Sequence, residues 1–323
     1  MIISKTPFRI SFFGGGTDYP SWYLEHGGEV LSTTIDKYCY IACRYLPLFF
    51  EHKYNIRWSK IEKPNNIDDI EHPSIRACLK YLKIDRGVSV THDGDLPARS
   101  GMGSSSSFTV GLLNSLYSLL NRPVTKEKLL QESLTVEQKL LGETVGSQDQ
   151  TAATYGGLTH IKFGTDGTIT VSPINITPAI KTELESHLLL FFTGLQRTAS
   201  NIATTYVQDL HKKAHLLNQM KLMVQESISI LEQEQRLRLF GQLLNDAWQL
   251  KRSLSPLISS DYIDSLYESI IDAGAIGGKI TGAGGGGFLL VFAEPDKHKS
   301  VREKLKGLLH VPFTFEDVGS HIL

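Results

Sequence analysis

The sequence has few of the features that mark secreted, membrane or nucleic-acid-binding proteins. Only three cysteines occur among 323 residues, which argues against a disulfide framework and for a reducing compartment. Lysine and arginine total 33 against 34 acidic residues, so no charge excess favours a nucleic acid or an anionic membrane as partner. No apolar run is long enough to cross a bilayer, and the first residues, Met1 to Lys5, have no signal-peptide pattern. We therefore expect a cytoplasmic protein with small-molecule partners.

The usual phosphate-binding loop, G-x-x-x-x-G-K-[ST], is also absent. A different glycine-rich stretch, Asp95 to Ser107, has Gly101 and Gly103 and then four serines. It follows a strand-like run, Gly87 to His92, and precedes an apolar helical pattern. A Gly/Ser turn that opens a helix aims unpaired N–H groups at one point, which suits an anion and most naturally a polyphosphate. The alternative is a flexible linker, although linkers rarely lie between a strand and a helix.

The first glycine-rich stretch in chain order, Gly14 to Tyr19, ends the first predicted strand, Ile2 to Phe13, so that Asp95 to Ser107 is the second. Three glycines followed by Thr-Asp can bring backbone against a ligand. A plain glycine-rich hairpin turn is the alternative. Polar residues are concentrated in this strand and its loop, which favours a binding site: Arg9, Ser11, Thr17 and Asp18.

Strands and helices are mixed along the chain without a regular βαβα repeat, which favours an α+β fold. We expect strands in Glu29 to Tyr45 and Leu188 to Phe192, and a mostly helical region from Ser200 to Asp272. The other expected elements are helices at Ser74 to Lys83, Ser104 to Leu120 and Thr125 to Leu141, an irregular segment from Gly142 to Gly157, and a final strand from Val311 to Phe315. A third glycine-rich stretch, Gly277 to Gly287, leads into a buried strand.

Together, the three glycine-rich stretches resemble the three motifs of the galactokinase, homoserine kinase, mevalonate kinase and phosphomevalonate kinase family. The motifs are Thr6 to Tyr19, Pro97 to Ser107 and Lys279 to Gly286, and the similarity covers essentially the whole chain. The resemblance implies two α+β domains, residues 1–187 and 188–323, with the active site in the cleft between them.

The resemblance also implies the roles of individual residues. Asp149 matches the catalytic aspartate, and Arg9 matches the basic residue beside it. Mg²⁺ would be held by Ser105 and Glu137, with Glu143 as an alternative to Glu137. The residues that would contact ATP are Pro97, Ser100, Gly101, Met102, Gly103, Ser104, Ser105 and Ser106.

The substrate would be a sugar or sugar phosphate. Galactokinases have a Glu-His pair where this chain has Gly15 and Gly16, which widens the pocket and removes a negative charge. The triple-glycine loop that ends in Thr17 and Asp18, together with Gly146 to Gln150, is most similar to the heptose 7-phosphate kinases of the family. Those enzymes phosphorylate the anomeric hydroxyl and give the 1,7-bisphosphate, from which nucleotide-activated heptose is made. The implied substrate contacts are Arg9, Gly15, Gly16, Thr17, Asp18, Gln148, Arg197, Gly282, Gly284 and Gly285.

A second phosphate on the sugar would need a cation. Arg197 is the first candidate, followed by Arg99, Lys5 and Lys162. Two alternatives stay open. One is a fucokinase-like or other sugar-1-kinase of the same family. The other is a family member that binds sugar or nucleotide but has lost catalysis. The oligomeric state stays open.

Overall fold

The computed structural model describes residues 1–196, 203–204, 207, 209–233 and 236–323. Within them, two sheets form the framework of the fold, one of nine strands and one of four. The strands are β1 (Ile2–Phe13), β2 (Gly28–Tyr45), β3 (Asn55–Arg57), β4 (Ile61–Glu62), β5 (Val88–Gly94), β6 (Thr159–Phe163), β7 (Ile169–Pro173), β8 (Leu188–Phe192), β9 (Gly277–Ile280), β10 (Phe288–Phe292), β11 (Leu309–His310), β12 (Phe315–Glu316) and β13 (His321–Ile322).

Helices cover the sheets and connect their strands. The α-helices are α1 (Pro20–His26), α2 (Pro73–Tyr81), α3 (Ser104–Leu119), α4 (Lys126–Leu134), α5 (Gln148–Tyr155), α6 (Pro178–Ser186), α7 (Ala214–Glu232), α8 (Leu237–Arg252), α9 (Asp261–Asp272) and α10 (His298–Lys304). A π-helical segment, Thr135–Leu140, continues α4. The described part contains no helix that is both long and apolar enough to span a membrane.

The larger sheet is built around the antiparallel pair of β1 and β2. Its order is β13-β1-β2-β5-β3-β4, and β6 and β12 also pair with β2. The β1–β2 register shifts between Pro7 and Phe8 and again between Ser11 and Phe13. Proline has no backbone N–H for the ladder, so an irregularity beside Pro7 is expected. The first predicted strand, Ile2 to Phe13, is confirmed.

Helix α3 packs across β1 and β2 and is buried over most of its length. It can approach β1 closely because Gly111 has no side chain: a Cβ there would lie 2.7 Å from Thr6 Oγ1. The Ser4 hydroxyl donates a hydrogen bond to the Gly111 carbonyl, at 2.8 Å. This packing places the first turn of α3 beside the part of β1 that contains Arg9.

The smaller sheet has the order β11-β8-β10-β9, and all its pairs are antiparallel. The chain then returns to the larger sheet, where Phe315 pairs with Ile35 and Ile322 pairs with Ser4. The C-terminal half therefore contributes strands to both sheets. The division into residues 1–187 and 188–323 stays a prediction.

Two predicted segments were wrong. Gln148–Tyr155 is a helix rather than irregular chain, because the Gly-Ser pair that suggested a turn only precedes its first residue. The predicted strand Val311 to Phe315 is replaced by three short strands, which pair with β8, β2 and β1. Their pairing depends on partners far away in the chain and leaves little local pattern.

Candidate active site

Arg9 and Asp149 form the centre of the site. The Arg9 guanidinium donates from Nε to one Asp149 carboxylate oxygen and from Nη2 to the other, both at 2.8 Å. Its third bond, from Nη1, goes to the carbonyl of Gly101 at 2.7 Å. Arg9 is buried, whereas the Asp149 side chain is 27% exposed. The arginine therefore fixes the carboxylate in a two-pronged ion pair and leaves one side of it open to a ligand.

The second glycine-rich stretch lies directly beside this pair. Gly101 and Gly103 both have φ angles in the left-handed region, at 78° and 75°, which favours glycine. A Cβ on Gly103 would lie 3.3 Å from Arg9 Cγ and 3.5 Å from an Asp149 carboxylate oxygen. Gly103 is the residue before the first turn of α3. The helix N-terminus therefore opens beside the ion pair, as expected for a phosphate-binding turn.

The other residues expected to contact ATP belong to the same turn. The Ser100 hydroxyl donates to the Pro97 carbonyl at 2.7 Å, and the Met102 carbonyl accepts the Arg9 backbone N–H at 3.1 Å. The Ser104 hydroxyl accepts the Arg99 backbone N–H at 3.3 Å. These bonds hold the shape of the turn and tie it to β1, and direct contacts with ATP stay a prediction.

Backbone contacts join the third glycine-rich stretch to the second. A Cβ on Gly282 would lie 2.5 Å from the Cα of Gly101. Gly284 packs against Ile258, where a Cβ would lie 2.8 Å from the Ile258 carbonyl oxygen, and the Gly285 N–H donates to that oxygen at 2.8 Å. Close backbone packing accounts for these glycines, and their predicted contact with substrate stays a prediction.

The first glycine-rich loop meets the start of α5. Asp18 accepts the Gly16 N–H at 2.9 Å and lies near the Gln148 N–H, at 3.4 Å. The Ser147 N–H donates to the Asp18 carbonyl at 2.8 Å. Burial raises the pKa of Asp18, and the nearby charge of Asp149 raises it further. The loop predicted to bind substrate therefore lies next to the predicted catalytic aspartate.

Thr17 and Gly15 have different roles in this loop. The Thr17 hydroxyl is buried between the Gly14 and Glu29 carbonyls, at 2.8 and 2.9 Å, so it holds the loop closed. A Cβ on Gly15 would be in ordinary contact with Ser11 Oγ, at 3.4 Å, and Gln148 Nε2, at 3.5 Å. The buried atoms Ser11 Oγ and Gln148 Oε1 have no hydrogen-bond partner among the described residues. Unpaired polar atoms at this point favour a polar ligand.

Glu137 lies in the π-helical segment, fully buried behind the first turn of α3. Its Oε2 atom accepts the Ser106 hydroxyl at 2.9 Å and an N–H of Gln150. Burial raises the pKa of Glu137 to about 7. Its Oε1 atom is buried and has no hydrogen bond of good geometry in the described part of the chain, although the nearby Thr109 hydroxyl acts to lower the pKa of this carboxyl. An unsatisfied carboxylate oxygen beside serine hydroxyls fits a hard cation such as Mg²⁺.

The serine bonded to Glu137 is Ser106, whereas Ser105 was predicted to share the metal with it. Ser105 is exposed in the first turn of α3. Neighbouring helical residues point about 100° apart, so only one of the two can face the buried carboxylate directly. Glu143 is half-buried, and burial raises its pKa as well. The assignment of the metal to Ser105 and Glu137 stays a prediction.

Three of the four predicted cations for a second phosphate lie in the described part of the chain. Lys5 Nζ lies 3.8 Å from the centre of the Tyr38 ring. Lys162 is exposed on β6, and Arg99 is exposed before the glycine turn. Arg197 lies outside the described residues.

Sequence reasoning missed two buried lysines of the C-terminal half. Lys251 and Lys279 are 5% and 4% exposed. Lys279 donates to the carbonyls of Ser11 and Phe12, at 3.0 and 2.8 Å, and Lys251 donates to the Gly282 carbonyl. Burial lowers the pKa of both, that of Lys251 to about 8. Their only sequence signal was a lysine within an otherwise apolar or glycine-rich stretch.

Two protein-family models match this chain. The model of the GHMP kinases N-terminal domain matches residues 73–157, and that of the GHMP kinases C-terminal domain matches residues 226–310. The chain belongs to the GHMP kinase family. These kinases include the galactokinases, homoserine kinases, mevalonate kinases and phosphomevalonate kinases of the predicted resemblance, and the predicted α+β fold is confirmed.

Individual relatives of this GHMP kinase match 94% or more of its length. It is 30% identical to the D-glycero-alpha-D-manno-heptose 7-phosphate kinase of Campylobacter jejuni, over 99% of this chain and 98% of that protein. It is 28% identical to the bifunctional fucokinase/GDP-fucose pyrophosphorylase of Arabidopsis thaliana, over 94% of this chain and 31% of that protein. The crystal structure of a D-glycero-D-manno-heptose 1-phosphate kinase from Bacteroides thetaiotaomicron superposes with a TM-score of 0.83 at 23% identity, covering 100% of this chain and 99% of that one.

Proposed function

We propose that this protein is an ATP- and Mg²⁺-dependent kinase that phosphorylates the anomeric hydroxyl of D-glycero-D-manno-heptose 7-phosphate. The product would be the 1,7-bisphosphate, a precursor of nucleotide-activated heptose for surface polysaccharide. The similarity to a heptose 7-phosphate kinase over 99% of the chain supports the substrate class. The observation that carries the proposal is the Arg9–Asp149 ion pair beside the glycine turn at Gly103.

In this arrangement Asp149 accepts the proton of the attacking hydroxyl. The two bonds from Arg9 hold the carboxylate in place and favour its ionised form, which also makes it a weaker base. Base strength matters little if the transition state of phosphoryl transfer is loose, because positioning and charge neutralisation then dominate. The Arg9 guanidinium lies beside the glycine turn, where it can stabilise charge on the transferring group.

Glu137 and a serine hydroxyl of α3 would hold Mg²⁺. The donor set is oxygen-only, and one Glu137 oxygen is buried without a hydrogen bond of good geometry in the described chain, which suits this cation. When bound, the metal would neutralise negative charge on the triphosphate. The turn formed by Gly101 and Gly103 would bind the phosphates through backbone N–H groups and the N-terminus of α3.

The substrate loop favours a large, polar sugar. Gly15 leaves room between Ser11 and Gln148, whose buried polar atoms lack partners among the described residues. Hydroxyls of a heptose could satisfy both atoms. The lack of a carboxylate at Gly15 also avoids repulsion of an anionic substrate.

An ADP-release assay over a panel of sugars tests this proposal. The panel contains D-glycero-D-manno-heptose 7-phosphate, the free heptose, galactose and L-fucose. We expect turnover of the 7-phosphate to exceed that of every free sugar by at least about tenfold, since one charged hydrogen bond to a phosphate contributes roughly 1.5–3 kcal/mol. Equal or faster turnover of L-fucose would replace the heptose assignment with a fucokinase. Absence of ADP release with every sugar would contradict sugar kinase activity.

A further inference from the structure

The proposed reaction gives no role to two buried lysines, Lys251 and Lys279, and Lys251 has the fewer hydrogen bonds among the described residues. Lys251 is in the last turn of α8, and its side chain is 5% exposed. Burying an ammonium costs free energy unless a partner anion compensates. The hydrogen bond that the described structure gives it goes to the neutral carbonyl of Gly282. This bond uses one of the three N–H donors of a protonated lysine.

The position of Lys251 is defined by the loops that it touches. Gly282 packs on the backbone of Gly101, and the carbonyl of Gly101 accepts a bond from Arg9 at 2.7 Å. The ammonium therefore lies next to the backbone contact that joins the predicted phosphate-binding turn to the third glycine-rich stretch. Its charged neighbours are Arg9, which lowers the pKa of Lys251, and Asp18 and Asp149, which raise it.

Basic side chains outnumber acidic ones in this buried region. Arg9, Lys251 and Lys279 are three basic groups that interact with one another, and Asp18 and Asp149 are the acidic groups beside Lys251. Arg9 is paired with Asp149, and Lys279 uses two donors for the backbone carbonyls of Ser11 and Phe12. Asp18 accepts the backbone N–H groups of Gly16 and Gln148, which leaves Lys251 as the cation best placed to receive an anion.

We propose that Lys251 binds the phosphoryl group that this kinase transfers, through the N–H donors not used for Gly282. This inference rests on the proposed function, since it takes ATP as the phosphoryl donor. The new bond forms between the sugar oxygen and the γ-phosphorus as the bond from that phosphorus to the bridging oxygen of ADP breaks. The proton of the hydroxyl passes to Asp149, and Lys251 keeps its own proton and stabilises the charge on the transferring group.

Binding of ATP and ADP to Lys251→Gln tests the inference, since only ATP has the terminal phosphoryl group. Glutamine can still donate a hydrogen bond to Gly282 but has no charge. By calorimetry with Mg²⁺ present, we expect ATP affinity to fall by about tenfold or more, as for one charged hydrogen bond, and ADP affinity to stay within a few-fold. Lys251→Arg should recover part of the ATP affinity.

Lys213→Gln is the matched control, because Lys213 also donates to a backbone carbonyl, that of Leu254. It should leave both affinities unchanged. Equal losses for ATP and ADP in Lys251→Gln, or no loss for either, would overturn the assignment and leave Lys251 as a support for Gly282. Wild-type protein that binds neither nucleotide would instead overturn the proposed function and this inference with it.

A measurement on the wild type covers the case in which Lys251→Gln does not fold. Because the pKa of Lys251 is lowered to about 8, contact with the phosphoryl group should draw a proton onto it at pH 8.5. Calorimetry in buffers of different ionisation enthalpy should detect more proton uptake with ATP than with ADP. Equal proton uptake for the two nucleotides would count against the inference.

Discussion

Arg9 and Asp149 are 140 positions apart in the chain, yet two guanidinium nitrogens of Arg9 lie 2.8 Å from the two carboxylate oxygens of Asp149. The pair joins strand β1 to the first turn of α5. Both residues also border the glycine turn at Gly103. The predicted base, its cationic partner and the predicted phosphate-binding turn are thus brought together by three separate parts of the chain.

Replacing Asp149 with asparagine tests its role as base. Asn keeps the shape of the side chain but cannot accept the proton, so kcat should fall by about 10²–10⁴-fold. ATP affinity should change little, because Arg9 keeps its bond to Gly101. Turnover and calorimetry measure the two effects. Activity within a few-fold of the wild type would mean that Asp149 only anchors Arg9.

Gly103→Val tests the phosphate-binding turn. Gly103 has φ 75°, and a side chain there would press on Arg9, whose Cγ would lie 3.3 Å from the new Cβ. We expect a strong loss of ATP affinity in a folded protein. Gly167→Val is the control, since Gly167 has a similar φ of 83° in the β6–β7 connection, where a Cβ would only reach ordinary contact with Leu24. Unchanged ATP affinity in Gly103→Val would remove this turn from the site.

Glu137→Gln tests the metal site. The carboxylate is buried with a raised pKa, so a neutral isostere should fold as well as the wild type. We expect the Mg²⁺ concentration that gives half-maximal activity to rise by at least about tenfold, as for the loss of one charged ligand. The Mg²⁺ concentration at which ATP gives half of its thermal stabilisation should rise by a similar factor. Glu143→Gln should change neither. If Glu143→Gln raises these Mg²⁺ concentrations and Glu137→Gln does not, Glu143 is the metal ligand.

Alanine variants of Ser105 and Ser106 decide which serine serves the metal. Ser106→Ala removes the 2.9 Å bond to Glu137 and should lower both stability and Mg²⁺ affinity. Ser105 is exposed, so Ser105→Ala should leave the unfolding temperature unchanged. If Ser105 is a ligand, as predicted, its variant should still weaken Mg²⁺ binding. Normal Mg²⁺ affinity in Ser105→Ala would contradict that prediction.

Gly15→Glu tests the substrate assignment. A Cβ at Gly15 would make only ordinary contacts with Ser11 and Gln148, so the fold should tolerate it. The added carboxylate should raise the KM of the sugar 7-phosphate more than that of ATP. Gly15→Ala controls for volume alone. If Arg197 binds the sugar phosphate, Arg197→Ala should act in the same direction, and an unchanged KM would exclude it.

The burial of Lys251 predicts a pH-dependent stability difference. Its pKa in the folded protein is lowered to about 8, from an ordinary value of 10.5. Between these values the unfolded chain binds more protons, so wild-type stability rises with pH relative to Lys251→Gln. The expected gain is about 2 kcal/mol between pH 7 and pH 9.5, at 1.36 kcal/mol per pKa unit. Urea unfolding at both pH values measures it, and a constant difference would contradict the lowered pKa.

Much of this protein was predictable from local sequence. The glycine turn before Ser104 and the helix that follows it are encoded by neighbouring residues, as are β1 and the N-cap of α4, where Thr125 Oγ1 accepts the Lys128 N–H at 3.2 Å. Turns, caps and amphipathic patterns depend on short-range geometry, which the sequence displays directly. The motifs also pointed to Asp149 before its surroundings were known.

Tertiary structure alone decided which residues meet. No local pattern indicates that Ser106 rather than Ser105 bonds Glu137, that Gly282 packs on Gly101, or that Lys251 is buried beside them. These contacts depend on how α3 lies across the larger sheet and how the loop after β9 meets the turn before α3. Side chains at neighbouring positions differ in direction by about 100° on a helix, so the final packing of distant elements determines which of them enters the site.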